Sequence, residues 1–319
     1  MIGSPIICDE KLPRLKPFSV TMNHDVRDKK TLNADDIFRL NFIRPQCKYV
    51  FRRHYRQGLR SHIMEVLDPL DVAREKNGVV SNGIKWFPKA KPLKMLRIFR
   101  TRFDSILKAH EELRRVLIVA SYLGPAGYAR SNEFLVSYHW NDRHDILLCG
   151  LQEYIEGLNI EPWGFLNAER LAENLLRPRL GSRATSVIGK SALVGRIRKS
   201  AEAFVRHVKD MISATGLIPD LAGDGNLILT DAGDIKLVDI NNISPVYFTP
   251  RIYLDNKGYP VCDKSVEALC EIEKNLAANP PDKNDRLYRN FLDPGRMFSV
   301  SAIEKEFHRN VSLDTFPAE

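Results

Sequence analysis

The feature that most constrains this chain is the stretch Leu217–Asn242, LIPDLAGDGNLILTDAGDIKLVDINN. Two short apolar runs, NLIL and IKLVDI, flank TDAGD, whose Asp and Gly residues are turn formers, so the segment predicts a tight hairpin. Asn226 stands at its entrance and Asp239 at its exit, with Asp220 just upstream. An amide oxygen and a carboxylate at the two ends of one hairpin can converge on a Mg²⁺ ion, which takes hard oxygen ligands and commonly completes its shell with nucleotide phosphates. An Asp shortly before them suits the orientation of an attacking hydroxyl. Asp224 is a rival for that role. Taken singly, each of these residues is as readily a turn or cap residue, so their order along the chain carries the argument.

Upstream, the hydrophobic period changes several times. CKYVF, HIMEVLD, GIKWF and LKMLRIF read as strand pieces between residues 47 and 99, separated by turn signals such as KNG and SNG. Ser105–Leu123 then carries apolar residues at helical spacing, and the strands Glu133–Trp140 and Asp145–Ile155 follow across a hairpin-length gap. Beyond Gly157 the pattern is mainly helical: Ala168–Leu176, Ser191–Thr215 with Val194, Ile197, Ala201, Phe204, Val205, Val208 and Met211 on one side, Lys264–Ala278, and Ser301–Arg309. SRATSVIGKSA reads as a loop. The expected organisation is an irregular lead-in over 1–45, a lobe of sheet plus one helix over 46–156, and a helical lobe over 157–319.

With these residues in this order, the sequence resembles the protein-kinase-like superfamily. Asn226 and Asp239 match its metal-binding pair, and Asp220 matches its catalytic-loop Asp with one residue inserted in AGDG. LQEYIEG (Leu151–Gly157) looks like the hinge, with Gln152 as gatekeeper and the Glu153 carbonyl and Ile155 amide as adenine-pairing groups. Glu112 resembles the ion-pairing acid of the long N-lobe helix. Arg97 stands where the phosphate-binding lysine is expected, with Lys94 as the alternative cation. The resemblance spans about residues 75–245. It implies an α+β, two-lobed fold with a small antiparallel sheet and one helix in the first lobe. It further implies an ATP- and Mg²⁺-dependent phosphotransferase acting on an unidentified hydroxyl of a protein or small molecule. The departures are the triplets Ile218-Pro219-Asp220 and Asp239-Ile240-Asn241, Arg97 in place of lysine, and NGVVSNG (Asn77–Gly83) at the place of a glycine-rich loop without its pattern. They keep open a pseudokinase that binds nucleotide or a partner without transfer.

Charge bears on a third reading, a basic nucleic-acid-binding protein. Lys and Arg number 48 against 40 Asp and Glu, a net charge of +8, and residues 1–120 alone hold 25 basic against 13 acidic residues. The cluster Lys89, Lys91, Lys94, Arg97, Arg100, Arg102 lies on and beside a strand, where alternation divides it between two faces. It has few interleaved aromatics for base stacking. His54, His62 and His110 read as surface groups. Five cysteines without a CxxC pair suggest neither a zinc site nor a disulfide framework. The opening MIGSPIICDEKLP lacks an apolar signal region, and no run is long enough to span a bilayer. A cytoplasmic protein is the expectation.

Overall fold

The structure, a computed structural model, describes residues 24–44, 47–56, 58, 60–177, 189–240, 242–282 and 284–315. Residues 1–23 with Cys8, most of SRATSVIGKSA, and Asn241 lie outside the described residues.

After a short helix α1 (Ala34–Phe38), the chain forms β1 (Val50–Arg53), β2 (Ser61–Leu67), α2 (Pro69–Asn77), β3 (Val79–Ser81), β4 (Ile84–Trp86), β5 (Lys94–Phe99), α3 (Ile106–Gly127), β6 (Ser131–Trp140) and β7 (Arg143–Gln152). Five of these strands make one antiparallel sheet in the order β1-β2-β5-β7-β6, while β3 and β4 pair only with each other. Helix α2 falls where the turn signals alone were legible. Asp68 caps it by accepting from the Leu70 amide, Pro69 pre-sets its first turn, and Gly78 ends it at φ 76°.

Strand alternation gives the sheet two chemically different faces. Met64, Val66, Leu96, Ile98, Leu147 and Cys149 share a core with Val26, Leu32, Ile37 and Leu40, so the lead-in from residue 24 onward covers one face. The Tyr138 hydroxyl accepts from the Val26 amide at 3.0 Å, and buried Arg27 pairs with Asp25 at 2.7 Å and Asp145 at 2.5 Å. His62 is fully buried there, against the surface position expected of it: its Nε2 lies 2.9 Å from the Val26 carbonyl. Burial, aided by the Arg100 charge, lowers its imidazole to about 4, so it is neutral at physiological pH. The opposite face carries Arg97 and Phe99 and looks toward the second lobe.

That lobe comprises β8 (Gly157–Ile160), α4 (Ala168–Leu176), α5 (Lys190–Thr215), β9 (Leu217–Ile218), β10 (Leu227–Thr230), β11 (Ile235–Leu237), β12 (Ser244–Pro245), α6 (Val261–Asn275), α7 (Arg286–Phe291) and α8 (Pro294–Thr315). Its core is organised on α5, whose Ile197, Ala201, Phe204, Val205, Val208 and Met211 are buried as the helical stripe required. Val116, Val119 and Leu123 of α3 pack into this same core, so α3 ties the sheet lobe to the helical one. The result is the two-lobed α+β architecture that the resemblance implied, with the cleft between Arg97's face of the sheet and the β10–β11 hairpin. Among the described residues no helix is long and apolar enough to cross a membrane.

Candidate functional site

The hairpin forms as its sequence dictates. Leu227 pairs with Leu237 and Leu229 with Ile235, and Gly233 turns the chain at φ 88°, where an L side chain would be strained. The Val238 amide donates to the Asn226 carbonyl at 2.8 Å, which brings Asn226 and Asp239 side by side at one end. β8 joins the other edge of β10 and fixes the end of the hinge against the hairpin.

The loop before the hairpin is built around Asp220. Its Oδ1 accepts from the amides of Ala222 and Gly223, both at 3.1 Å, and its Oδ2 accepts from Asn242 Nδ2 at 3.1 Å. Its carbonyl accepts from Asn226 Nδ2 at 2.9 Å. That bond commits the Asn226 amide nitrogen and leaves Oδ1 as the atom that could meet a cation. A Cβ on Gly223 would run into the Asn226 side chain, so the turn from Asp220 to Asn226 requires glycine there. Burial raises the Asp220 carboxyl to about 6, reinforced by the negative charge of Asp239 and opposed by the Asn242, Ala222 and Gly223 hydrogen bonds. The rival Asp224 is exposed and receives Asn159 Nδ2 at 3.3 Å, outside this cluster.

Arg97, only 2% exposed, reaches across the cleft. Its Nη2 pairs with Asp239 Oδ1 at 2.8 Å and its Nη1 donates to the Val238 carbonyl at 3.0 Å. Gln152, the expected gatekeeper, is buried and donates to that same carbonyl at 2.9 Å. The Arg97–Glu112 pair does not form, which corrects the sequence expectation. Arg97 directs both Nη groups at the hairpin and leaves its buried Nε without a partner among the described residues, while Glu112 faces Arg115 at 3.9 Å and lines a cavity of about 470 Å³ with Arg60, Asn242, Tyr247 and Tyr253. Burial pushes the Glu112 carboxyl up.

Besides Asp239, a second acid stands near Arg97, Glu133 on β6. Arg97 and Glu133 both lie opposite Gly150 in the sheet register, and Gly150's missing Cβ leaves room for the Glu133 carboxylate. Burial raises Glu133, and the nearby Arg97 charge opposes that rise. No local pattern marks Glu133, because the juxtaposition comes from strand register. Lys94, the alternative cation, is exposed at the start of β5 and, three residues from Arg97, on the opposite face.

In the segment expected as the hinge, the Glu153 side chain pairs with Lys236 at 3.2 Å and Arg130 at 3.3 Å. The Glu153 carbonyl and the Ile155 amide form no backbone hydrogen bond among the described residues. NGVVSNG spans the end of α2, β3 and the β3–β4 turn, and both strands of that hairpin are exposed. Contacts to the second lobe come instead from Arg56 and Arg60, between β1 and β2. There Arg56 donates to Asn159 Oδ1, its guanidinium so close to Gly225 that a Cβ there would be 2.6 Å away, and Arg60 pairs with Asp255. The signal of this link was the single Gly58 among basic residues, too weak to be read.

The basic cluster is not one continuous surface. Arg97 is internal, Arg100 donates to the carbonyls of Arg27 and Lys30, Arg102 pairs with Asp25 and Asp28, and Lys91 pairs with Glu156.

The donor set suits a Mg²⁺-like ion. Asn226 Oδ1 and the Asp239 carboxylate are hard oxygens held side by side, with Arg97 sharing Asp239. Such a site would draw its remaining ligands from phosphate and water. Among the described residues, no group of three or more His, Cys, Asp and Glu is placed to hold a metal.

No family model and no curated protein matches this sequence. Among solved structures, the chain is similar to one described as the ROP18 kinase domain in complex with AMP-PNP and sucrose. The TM-score is 0.33 and the identity 10%, over 83% of each chain.

Proposed function

We propose that the cleft binds ATP with Mg²⁺ and transfers the γ-phosphoryl group to a hydroxyl acceptor. The observation that supports this most is the construction of Asp220. Three donors fix its carboxylate, burial raises the carboxyl to about 6, its carbonyl accepts from Asn226 Nδ2, and it lies near enough to Asp239 to feel that charge. Asp220 orients the acceptor hydroxyl and takes its proton as the new P–O bond forms and the bond to the β-phosphate breaks, releasing ADP. A pKa near 6 keeps the group ionised at neutral pH yet basic enough to accept that proton. Asn226 Oδ1 and Asp239 would hold the ion, which neutralises phosphate charge when bound. Arg97 would hold Asp239 in place and present positive charge to the phosphates, and Gln152, Glu153 and Ile155 would line the adenine pocket.

The test has two arms. MgATP at 100 times its dissociation constant stabilises the wild type by about 2.7 kcal/mol, a rise in melting temperature that Asp239→Ala abolishes. Labelled γ-phosphate is transferred by the wild type and not by Asp220→Ala, which still shows the thermal shift. Absence of a shift in the wild type overturns the proposal.

The Arg97–Asp239 ion pair favours a second reading, since the guanidinium already engages the carboxylate a metal would use. On that reading the chain binds nucleotide without transfer, and a thermal shift that survives EDTA, with no phosphoryl transfer, selects it.

A further inference from the structure

The β3–β4 hairpin is built unlike the rest of the first lobe. Asn82 at φ 52° and Gly83 at φ 76° form its turn, and Val79–Trp86, Val80–Lys85 and Ser81–Ile84 are its cross-strand pairs. Every residue of both strands is exposed, and the ribbon joins no other sheet. Val80 is 70% exposed, Phe87 61%, Ile84 54% and Trp86 54%.

In a two-stranded ribbon, cross-strand partners share a face. Val79, Trp86 and Ile84 therefore lie on one face, and Val80, Lys85 and Phe87 on the other. A protein partner laid against one face would leave the second still in water, whereas a lipid interface surrounds both. Lys76, Lys85 and Lys89 lie on the ribbon or within a few residues of its ends, all three exposed, and no ion pair is formed by them among the described residues. Exposed Trp and Phe beside lysines without a carboxylate partner, one of them, Lys85, lying 5.4 Å from the Phe87 ring centroid, suit the headgroup layer of an anionic bilayer. There aromatic rings sit at the apolar boundary, and lysine stems reach back to lipid phosphates.

We propose that this hairpin is a membrane-surface anchor, inserting its tip into the interface of a bilayer rich in anionic lipid. It is a peripheral contact, independent of the phosphotransfer reading and of any spanning segment.

The test is sedimentation of the full chain with vesicles of 30% phosphatidylserine in phosphatidylcholine, against vesicles of phosphatidylcholine alone. The wild type partitions at least tenfold more strongly to the anionic vesicles, and raising salt weakens binding. Trp86→Ser/Phe87→Ser reduces partitioning tenfold or more with an unchanged melting temperature. Lys85→Glu/Lys89→Glu removes the preference for anionic lipid. Failure of the wild type to bind anionic vesicles overturns the proposal, as does Trp86→Ser/Phe87→Ser binding as well as wild type. Binding to single-stranded RNA or to polyglutamate in place of vesicles also overturns it.

Discussion

Asp220 couples the chemistry of the cleft to the stability of the fold. Its carboxyl is raised from 3.8 to about 6 by burial first and by Asp239 second. Folding therefore favours the protonated form. The stability that Asp220 contributes is fully present below pH 4, is lost as pH rises toward 6, and stays lost above it. Two pKa units correspond to at most about 3 kcal/mol. Asp220→Asn cannot ionise, so its stability relative to wild type should improve by up to that amount between pH 4 and pH 7, whatever constant offset its altered hydrogen bonds add. Urea unfolding of both proteins at several pH values measures this, and a pH-independent difference would refute the assigned environment. At the same scale, Arg97 shows why a residue type does not fix its partner. Its guanidinium serves the Val238 carbonyl and Asp239 together, a bidentate geometry that a lysine ammonium does not reproduce.

Glycines reveal how tightly individual elements are fitted. Gly157 opens β8 directly against β10, and a Cβ there would drive into the Leu229 carbonyl oxygen and the Ile228 side chain. Backbone cannot yield as a side chain can, so Gly157→Ala should cost about 3 kcal/mol and loosen the hairpin that carries Asn226 and Asp239. Gly195 lies within α5 with nothing within 4 Å of its would-be Cβ. There alanine should stabilise by about 1 kcal/mol through helix propensity alone. Chemical denaturation of the two variants should give opposite signs; equal effects would mean that the β8–β10 contact is looser than drawn. Long helices and the hairpin were readable because a stripe such as Ile197–Ala201–Phe204–Val208 or a turn such as TDAGD is encoded within a few residues. α2 was missed because its cap Asp68-Pro69 precedes a segment with no buried face, so no hydrophobic period announced it.

Across the whole molecule, the link from β1 to β2 fastens the sheet lobe onto the helical lobe. Arg60 engages Asp255 and Asn256, and Asp255 also accepts from Asn242, the donor to Asp220. Removing this partly exposed pair should cost about 1 kcal/mol or less in global stability. It should nevertheless open the cleft locally. Arg60→Ala is expected to speed amide hydrogen exchange around His54–Arg56 and Asp255–Tyr259 at least severalfold while leaving the α5 core protected; unchanged exchange would show that the pair does not hold the lobes together. The sequence by itself determined the two-lobed division, the long helices α3 and α5 and the pairing of Asn226 with Asp239 across one hairpin, because each rests on periodicity or turn chemistry within a short span. Only the tertiary structure decided that Arg97 meets Asp239 and not Glu112, that Glu133 stands across Gly150 from it, that Arg56 and Arg60 reach the second lobe, and that burial raises the Asp220 carboxyl to about 6. Those outcomes depend on strand register, lobe docking and burial among residues distant in sequence, and no local pattern carries that information.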